Sequence, residues 1–171
     1  MQRIELFGGA LVTILPSHWR DFSLDRPIQD NQEIFVDQPS GSVFVVDIVE
    51  TPSTTTLETM CEFHLNDLAE CNGIDDMKHT SFTKEVKYPR CSDPQTQFQI
   101  IEGIGSMEDH NVTTDKHFRK ILKTYLCVGR LGSSNTDILI YITDATQNHD
   151  MHPIFVQILS NLVIDTAQLG I

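Results

Sequence analysis

Two stretches of this chain, Val43-Phe44-Val45-Val46-Asp47-Ile48-Val49 and Asp137-Ile138-Leu139-Ile140-Tyr141-Ile142-Thr143, are apolar at nearly every position and rich in β-branched residues. Side chains of a strand alternate between the two faces of its sheet, so a strand that is apolar on both faces must be covered on both. The pair of runs therefore predicts a sheet with a helix packed against each face. In the first run the carboxylate of Asp47 interrupts the apolar pattern, and Glu50 follows just beyond it. A buried ionised group has to be paired, hydrogen-bonded or in reach of water, so these two acids need an explanation.

The rest of the chain supplies elements consistent with such a sheet. Ile4 to Phe7 and Ala10 to Leu15 read as short strands joined by a two-residue turn at Gly8-Gly9, since glycine adopts the positive φ that tight hairpins demand. The segment from His18 to Gln32 is irregular and polar, Glu33 to Asp37 is a strand, and Pro39-Ser40-Gly41 turns the chain into the first apolar run. Thr55 and Glu58 have capping-box spacing, and Leu57, Met60, Cys61, His64, Leu65 and Leu68 recur on one helical face until Asn72-Gly73 stops it. Strands are expected around Ser81 to Tyr88, Gln97 to Ile104 and Phe118 to Leu131, while Asp75-Asp76 reads as a loop. A last helix starts near Pro153 and buries Ile154, Phe155, Ile158, Leu159, Leu162 and Val163. Strands, one helix, a strand meander and one helix lack strict βαβ alternation, which predicts an α+β domain with a largely antiparallel sheet.

At 171 residues one domain over 1–171 is the economical expectation, with enough chain to bury a core without staples. No apolar run approaches the length of a membrane span, and the N-terminus carries no evident secretory signal, so a soluble intracellular protein is expected. The net charge of −12 disfavours binding to nucleic-acid phosphates, whose affinity comes from Lys and Arg. A basic protein partner fits that charge. Cys61, Cys71, Cys91 and Cys127 form no paired motif, and Cys61 and Cys71 lie about 15 Å apart along one helix, so reduced thiols are expected. Asn111-Val112-Thr113 matches a glycosylation acceptor but has no secretory context.

No pattern of catalysis stands out. There is no GxSxG elbow and no recognisable cysteine-nucleophile context. His149 and His152 flank Asp150, but two imidazoles without a third spaced ligand do not define a metal site, and solvated turn residues are the simpler reading. His64 reads as a hydrogen-bonded core histidine. Gly8-Gly9 lacks the remainder of a phosphate loop. No cofactor or metal is expected. Asp30 and Glu33, at the entry to a strand, fit turn hydrogen bonding. Asp47 and Glu50 are three apart, so they point to opposite faces of a regular strand and meet only where the strand twists or ends.

Four segments in register, Leu6-Phe7-Gly8-Gly9-Ala10, Asp30-Asn31-Gln32-Glu33-Ile34-Phe35, Val46-Asp47-Ile48-Val49-Glu50, and Phe63-His64 with Asp67-Leu68, resemble the Ran guanine nucleotide release factors, the Mog-type Ran-binding proteins. Gln29 stands where that family often has proline. The resemblance implies a six-stranded antiparallel sheet flanked by helices, a fold shared with PsbP-like proteins. It further implies binding to the small GTPase Ran, release of its guanine nucleotide and support of nuclear protein import. The family's acidic Ran-binding positions fall on Asp47 and Glu50, and Asp30 and Glu33 extend that set. A non-enzymatic, monomeric regulator found in nucleus and cytoplasm is the expectation, with a ligand-binding or general protein-interaction module as the alternative. That alternative requires an apolar pocket beside the sheet with convergent polar groups.

Overall fold

The structure, a computed structural model, describes residues 1–82, 85–108, 119–145 and 150–171. In chain order its elements are β1 (Gln2–Leu6), β2 (Leu11–Leu15), β3 (Arg20–Asp21), β4 (Gln32–Asp37), β5 (Ser42–Glu50), α1 (Met60–Cys71), β6 (Asp75–Ser81) and β7 (Arg90–Cys91). Then come β8 (Gln97–Glu108), β9 (Arg119–Arg130), β10 (Thr136–Asp144), α2 (His152–Asn161), β11 (Val163–Ile164) and α3 (Thr166–Leu169). The two apolar runs are β5 and β10, antiparallel neighbours inside a sheet of order β3-β4-β5-β10-β9-β8-β6. All its pairings are antiparallel. Apart from the two-residue β3, it has the six strands expected. The N-terminal hairpin joins a second sheet instead, of order β1-β2-β11-β7.

Both faces of β5 and β10 are covered, as their composition requires. On one face Val45, Leu139, Tyr141, Leu126 and Val128 pack against Met60, Cys61 and Leu65 of α1. On the other, Phe44, Val46, Ile138, Ile140 and Ile142 pack with Phe155, Ile158 and Leu159 of α2 and with Leu6, Leu11 and Leu15 of the hairpin. The result is three layers: α1, the long sheet, and α2 with the small sheet. The Thr13 hydroxyl donates to the Ile158 carbonyl at 2.8 Å, tying hairpin to helix. Close seating of α1 depends on a missing side chain, because a Cβ at Gly103 of β8 would lie 2.8 Å from Leu65 and 2.7 Å from the Met77 sulfur.

Several expectations change in the structure. Leu6 pairs with Leu11, so four residues, Phe7 to Ala10, close the first hairpin rather than two. Phe7 has φ 50°, in the left-handed region along with Gly8 and Gly9. Its N–H donates to Glu33 Oε1 at 2.8 Å, a contact across the fold that helps hold this conformation. The capping box is not formed, because the Thr55 hydroxyl donates to the Pro52 carbonyl at 2.8 Å and accepts from Arg130 at 2.7 Å. Helix α1 begins only at Met60, although it ends at Asn72-Gly73 as expected, with Gly73 at φ 65°.

A strand lies at Asp75–Ser81, ahead of the one expected at Ser81 to Tyr88, of which residues 85–88 are irregular and residues 83–84 lie outside the described residues; it takes in Asp75-Asp76, expected to be a loop. It is a mostly exposed edge strand and so carries no apolar alternation to betray it. Helix α2 stops at Asn161; Leu162 is fully buried and Val163 starts β11, which hydrogen bonds to β2 and β7. Apolar spacing could not show this stop, since both continuations bury Leu162. All four cysteines are free. Asn111 to Thr113, Phe118 and His149 lie outside the described residues.

Asp137, at the start of β10, is fully buried and carries four side-chain hydrogen-bond contacts. Arg130 Nε and Nη2 each donate to its carboxylate at 2.8 Å, and Thr51 Oγ1 donates at 2.9 Å. His64 Nε2 lies 2.8 Å from Oδ2, confirming the core-histidine reading. Burial opposes ionisation of Asp137, but the bonds from Arg130, His64 and Thr51 outweigh it and hold the carboxyl well below the usual carboxylate range. Removing one member strands the other charges in a dry site. Asp137→Ala is therefore expected to lower unfolding free energy by about 3–5 kcal/mol. Glu62→Ala, on the exposed side of α1, is expected to change it by less than about 1 kcal/mol. Urea unfolding of both variants checks this, and equal losses would contradict it.

Candidate functional site

Antiparallel register places Gln32 of β4 directly opposite Asp47 of β5, with Leu139 of β10 on the other side. Asp47 is 8% exposed. Asn31 Nδ2 donates to its Oδ1 at 2.9 Å and Gln32 Nε2 to its Oδ2 at 2.9 Å. The same Asn31 amide also donates to the Ile48 carbonyl at 3.0 Å, and the Ile48 N–H donates to the Asn31 carbonyl at 2.9 Å. Asn31 thus clasps β5 at the carboxylate and fixes its position. Burial raises the Asp47 carboxyl above its ordinary value, only partly opposed by Gln32, the Ile48 N–H and the nearby His64. The Lys and Arg ion pairs among the described residues are Arg3–Glu5, Arg119–Asp75 and Arg130–Asp137, so no fixed cation neutralises Asp47.

Asp47 opens into a groove of about 690 Å³ between α1 and the exposed part of the sheet. Its floor is apolar, with Ile34, Val45, Val49 and Leu139, and α1 contributes Phe63, Asp67, Leu68 and Cys71 to its wall. Tyr141 also lines it, with its hydroxyl raised in pKa first by burial and then by the charges of Asp47 and Cys71. Glu50, the last residue of β5, is exposed, accepts from Asn135 Nδ2 at 3.2 Å and borders the same groove. Strand alternation puts Asp47 and Val49 on the groove face; Glu50, at the last position of β5 opposite Thr136, also lines it. The two acids three residues apart therefore share one site.

The other two expected acids are placed differently. Asp30 is exposed, one residue before the Asn31 clasp. Glu33 pairs with Val46, whose side chain faces the α2 layer, and its carboxylate accepts the Phe7 N–H. It lies on the face opposite Asp47. Asn31, Gln32 and the Arg130–Asp137–His64 network were not expected as parts of the site. They emerge only from strand register, because the residues facing Asp47 come 15 and 16 positions earlier in the chain. His152, expected in a solvated turn, is buried at the start of α2, stacked on Phe82 with ring centroids 4.4 Å apart. Among the described residues no group of three or more His, Cys, Asp or Glu is arranged to hold a metal ion. Cys61 is pushed up to about 12 by burial, which leaves it an inert thiol at neutral pH.

The arrangement is an α+β domain with a clasped acidic residue in the lining of an apolar groove. The family model described as Ran-interacting Mog1 protein matches residues 4–145, and the chain belongs to that family. The zebrafish Ran guanine nucleotide release factor is 25% identical over 163 residues, covering 91% of this chain and 80% of that protein. The nuclear import protein MOG1 of Saccharomyces cerevisiae is 31% identical over 83 residues, covering 42% of this chain and 38% of its own length. The crystal structure of the Saccharomyces cerevisiae Ran-binding protein Mog1p superposes with a TM-score of 0.69 at 19% identity, covering 98% of this chain and 97% of that one. That likeness shows the shared fold.

The raised Asp47 carboxyl has a measurable sign. Its folded form holds a proton more tightly than the unfolded chain does, so this group's contribution to stability grows as pH falls from 7 toward about 4 and is lost as pH rises through the folded value. Asp47→Asn removes that dependence, and Gln32 can turn its amide to keep a bond. The variant is expected to be at least as stable as wild type at pH 7, with the difference shifting toward wild type at pH 4.5. Thermal melting at both pH values checks this; a pH-independent difference would contradict it.

Proposed function

We propose that this chain binds the small GTPase Ran and promotes release of its bound guanine nucleotide, supporting nuclear protein import in nucleus and cytoplasm. It acts as one monomeric domain and as a regulator of the GTPase rather than as an enzyme. The observation that carries this reading is Asp47, a buried carboxylate with no cationic partner among the described residues, aimed into an open groove beside Glu50. A carboxylate held that way costs stability in the free protein. Such a cost is recovered when a partner supplies the missing charge. The net charge of −12 adds long-range attraction for a basic surface.

Asp47 and Glu50 are the proposed Ran contacts, with exposed Asp30 beside them. Glu33 enters at one remove, because its carboxylate holds the hairpin turn at Phe7 and so steadies β4 behind the Asn31 clasp. Nucleotide release follows if these contacts favour nucleotide-free Ran over its nucleotide-bound forms. An acid competing for the lysine or the Mg²⁺ that hold the phosphates is one way to produce that difference. The names of the zebrafish and yeast relatives support this direction.

The test is release of labelled GDP and GTP from purified Ran. Wild-type protein is expected to accelerate release, and the doubly substituted Asp47→Ala/Glu50→Ala protein to lose at least about tenfold of that acceleration, equivalent to about 1.4 kcal/mol. Raising salt from 50 to 300 mM is expected to slow association with wild type more than with the double variant. A folded double variant that releases nucleotide at the wild-type rate would overturn the site assignment.

A further inference from the structure

Burial drives a carboxylate toward its neutral, protonated form, and a protonated carboxyl offers no charge to a partner. Asp137, on the same face of the sheet, is kept ionised by Arg130, but that cation also neutralises it. At Asp47 the side-chain donors are the amides of Asn31 and Gln32, which bond to an anion and bring no charge of their own.

The two amides are not equivalent. The hydrogens of Asn31 Nδ2 serve two acceptors, Asp47 Oδ1 at 2.9 Å and the Ile48 carbonyl at 3.0 Å, and the Asn31 carbonyl accepts the Ile48 N–H at 2.9 Å. Asn31 is therefore tied into the pairing of β4 with β5, and its loss disturbs the strands. Gln32 sits directly opposite Asp47 in the antiparallel register, and its side chain donates to Asp47 Oδ2 at 2.9 Å. Removing that amide takes one donor from the carboxylate and leaves the backbone ladder intact.

Resting on the reading that Asp47 meets Ran as an anion, we propose that Gln32 is a positioning residue for nucleotide release, whose amide holds Asp47 ionised and in place without cancelling its charge. Gln32 acts through Asp47. Burial is the largest influence on the Asp47 carboxyl and raises it, and the Gln32 bond is the foremost of the influences that lower it. An apolar side chain at position 32 removes that support, so the carboxyl rises further. The other titratable groups lining the groove are Glu50 on β5, His64, Asp67 and Cys71 on α1, Tyr141 on β10 and Lys120 on β9. Asp137 lies behind His64, Asp30 is exposed ahead of the clasp, and Glu33 is on the opposite face. All of them are retained in a Gln32 variant, so the difference from wild type reports Asp47.

Two readouts across about pH 4 to 8 test this. The first is the side-chain carboxyl ¹³C shift of Asp47 in the free protein. Gln32→Met, of similar length and without a donor, is expected to raise its titration midpoint by at least about 0.5 on the pH scale. Gln32→Leu, of different shape, is expected to do the same, so the result does not hang on the folding of one variant. The second readout is acceleration of labelled GDP release from Ran, with release from Ran alone subtracted at each pH. The pH at which acceleration is halved is expected to rise by the same interval, and acceleration at pH 8 to return to within about twofold of wild type, where both carboxyls are ionised. A merely structural role lowers acceleration at every pH and shows no such recovery.

An Asp47 midpoint unchanged in both Gln32 variants overturns the proposal whatever Ran does. A raised midpoint with an unmoved release profile also overturns it, while the Ran contact at Asp47 stands if Asp47→Ala/Glu50→Ala still loses its acceleration. If that double variant accelerates release as wild type does, the Asp47 reading falls and the role of Gln32 falls with it.

Discussion

The carboxylate of Asp137 is the joint on which this molecule is organised. It sits at the first inward position of β10, where Arg130 of β9, His64 of α1 and Thr51 at the end of β5 converge on its two oxygens. Arg130 continues to the hydroxyl and carbonyl of Thr55, so the segment leading into α1 is secured by the same charge. A buried ion of this kind contributes less to net stability than to geometry, since desolvation offsets most of the Coulombic gain. Its geometric effect is to set α1 at one height and rotation over the sheet. That setting decides how much of the sheet face α1 leaves open, and the open part is the groove.

Asp47 is the counterpart of Asp137 on the same face, and their environments are opposite. Asp137 receives an arginine, a histidine and a hydroxyl, and its acidity increases. Asp47 receives two neutral side-chain amides and the influence of His64, and burial prevails. One carboxylate is internally neutralised and structural; the other is positioned but has no Lys or Arg counter-ion among the described residues. That difference is what supports the proposed role of Asp47 as a partner contact.

The four sequence segments that resemble the Ran-binding family also meet in space for identifiable reasons. Glu33 accepts the N–H of Phe7, which joins the Leu6–Ala10 turn to the Asp-Asn-Gln-Glu run. Asn31 and Gln32 of that run hold Asp47 in the third segment. His64 of the fourth reaches Asp137, and it lines the groove together with Asp47 and Phe63. The turn, the clasp, the acid and the helix form one connected assembly.

What the sequence determined by itself is the layering. Two strands apolar at consecutive positions force cover on both faces, and the periodic runs at Met60 to Leu68 and Ile154 to Leu159 supply the helices, because period-2 and period-3.6 burial are properties of local geometry. Local signals also located the stop at Gly73 and the acids at 47 and 50. Tertiary structure decided the rest. The Thr55 hydroxyl had two possible uses, and a distant arginine took it from the helix end. Polar β6 became a strand only because β8 offered an edge to pair with, and Leu162 left its helix because β2 and β7 had room for β11. The union of Asp47 and Glu50 in one groove, and the separation of Glu33 from both, followed from strand register and packing. Those are set by contacts between residues far apart in the chain, and no local pattern encodes them.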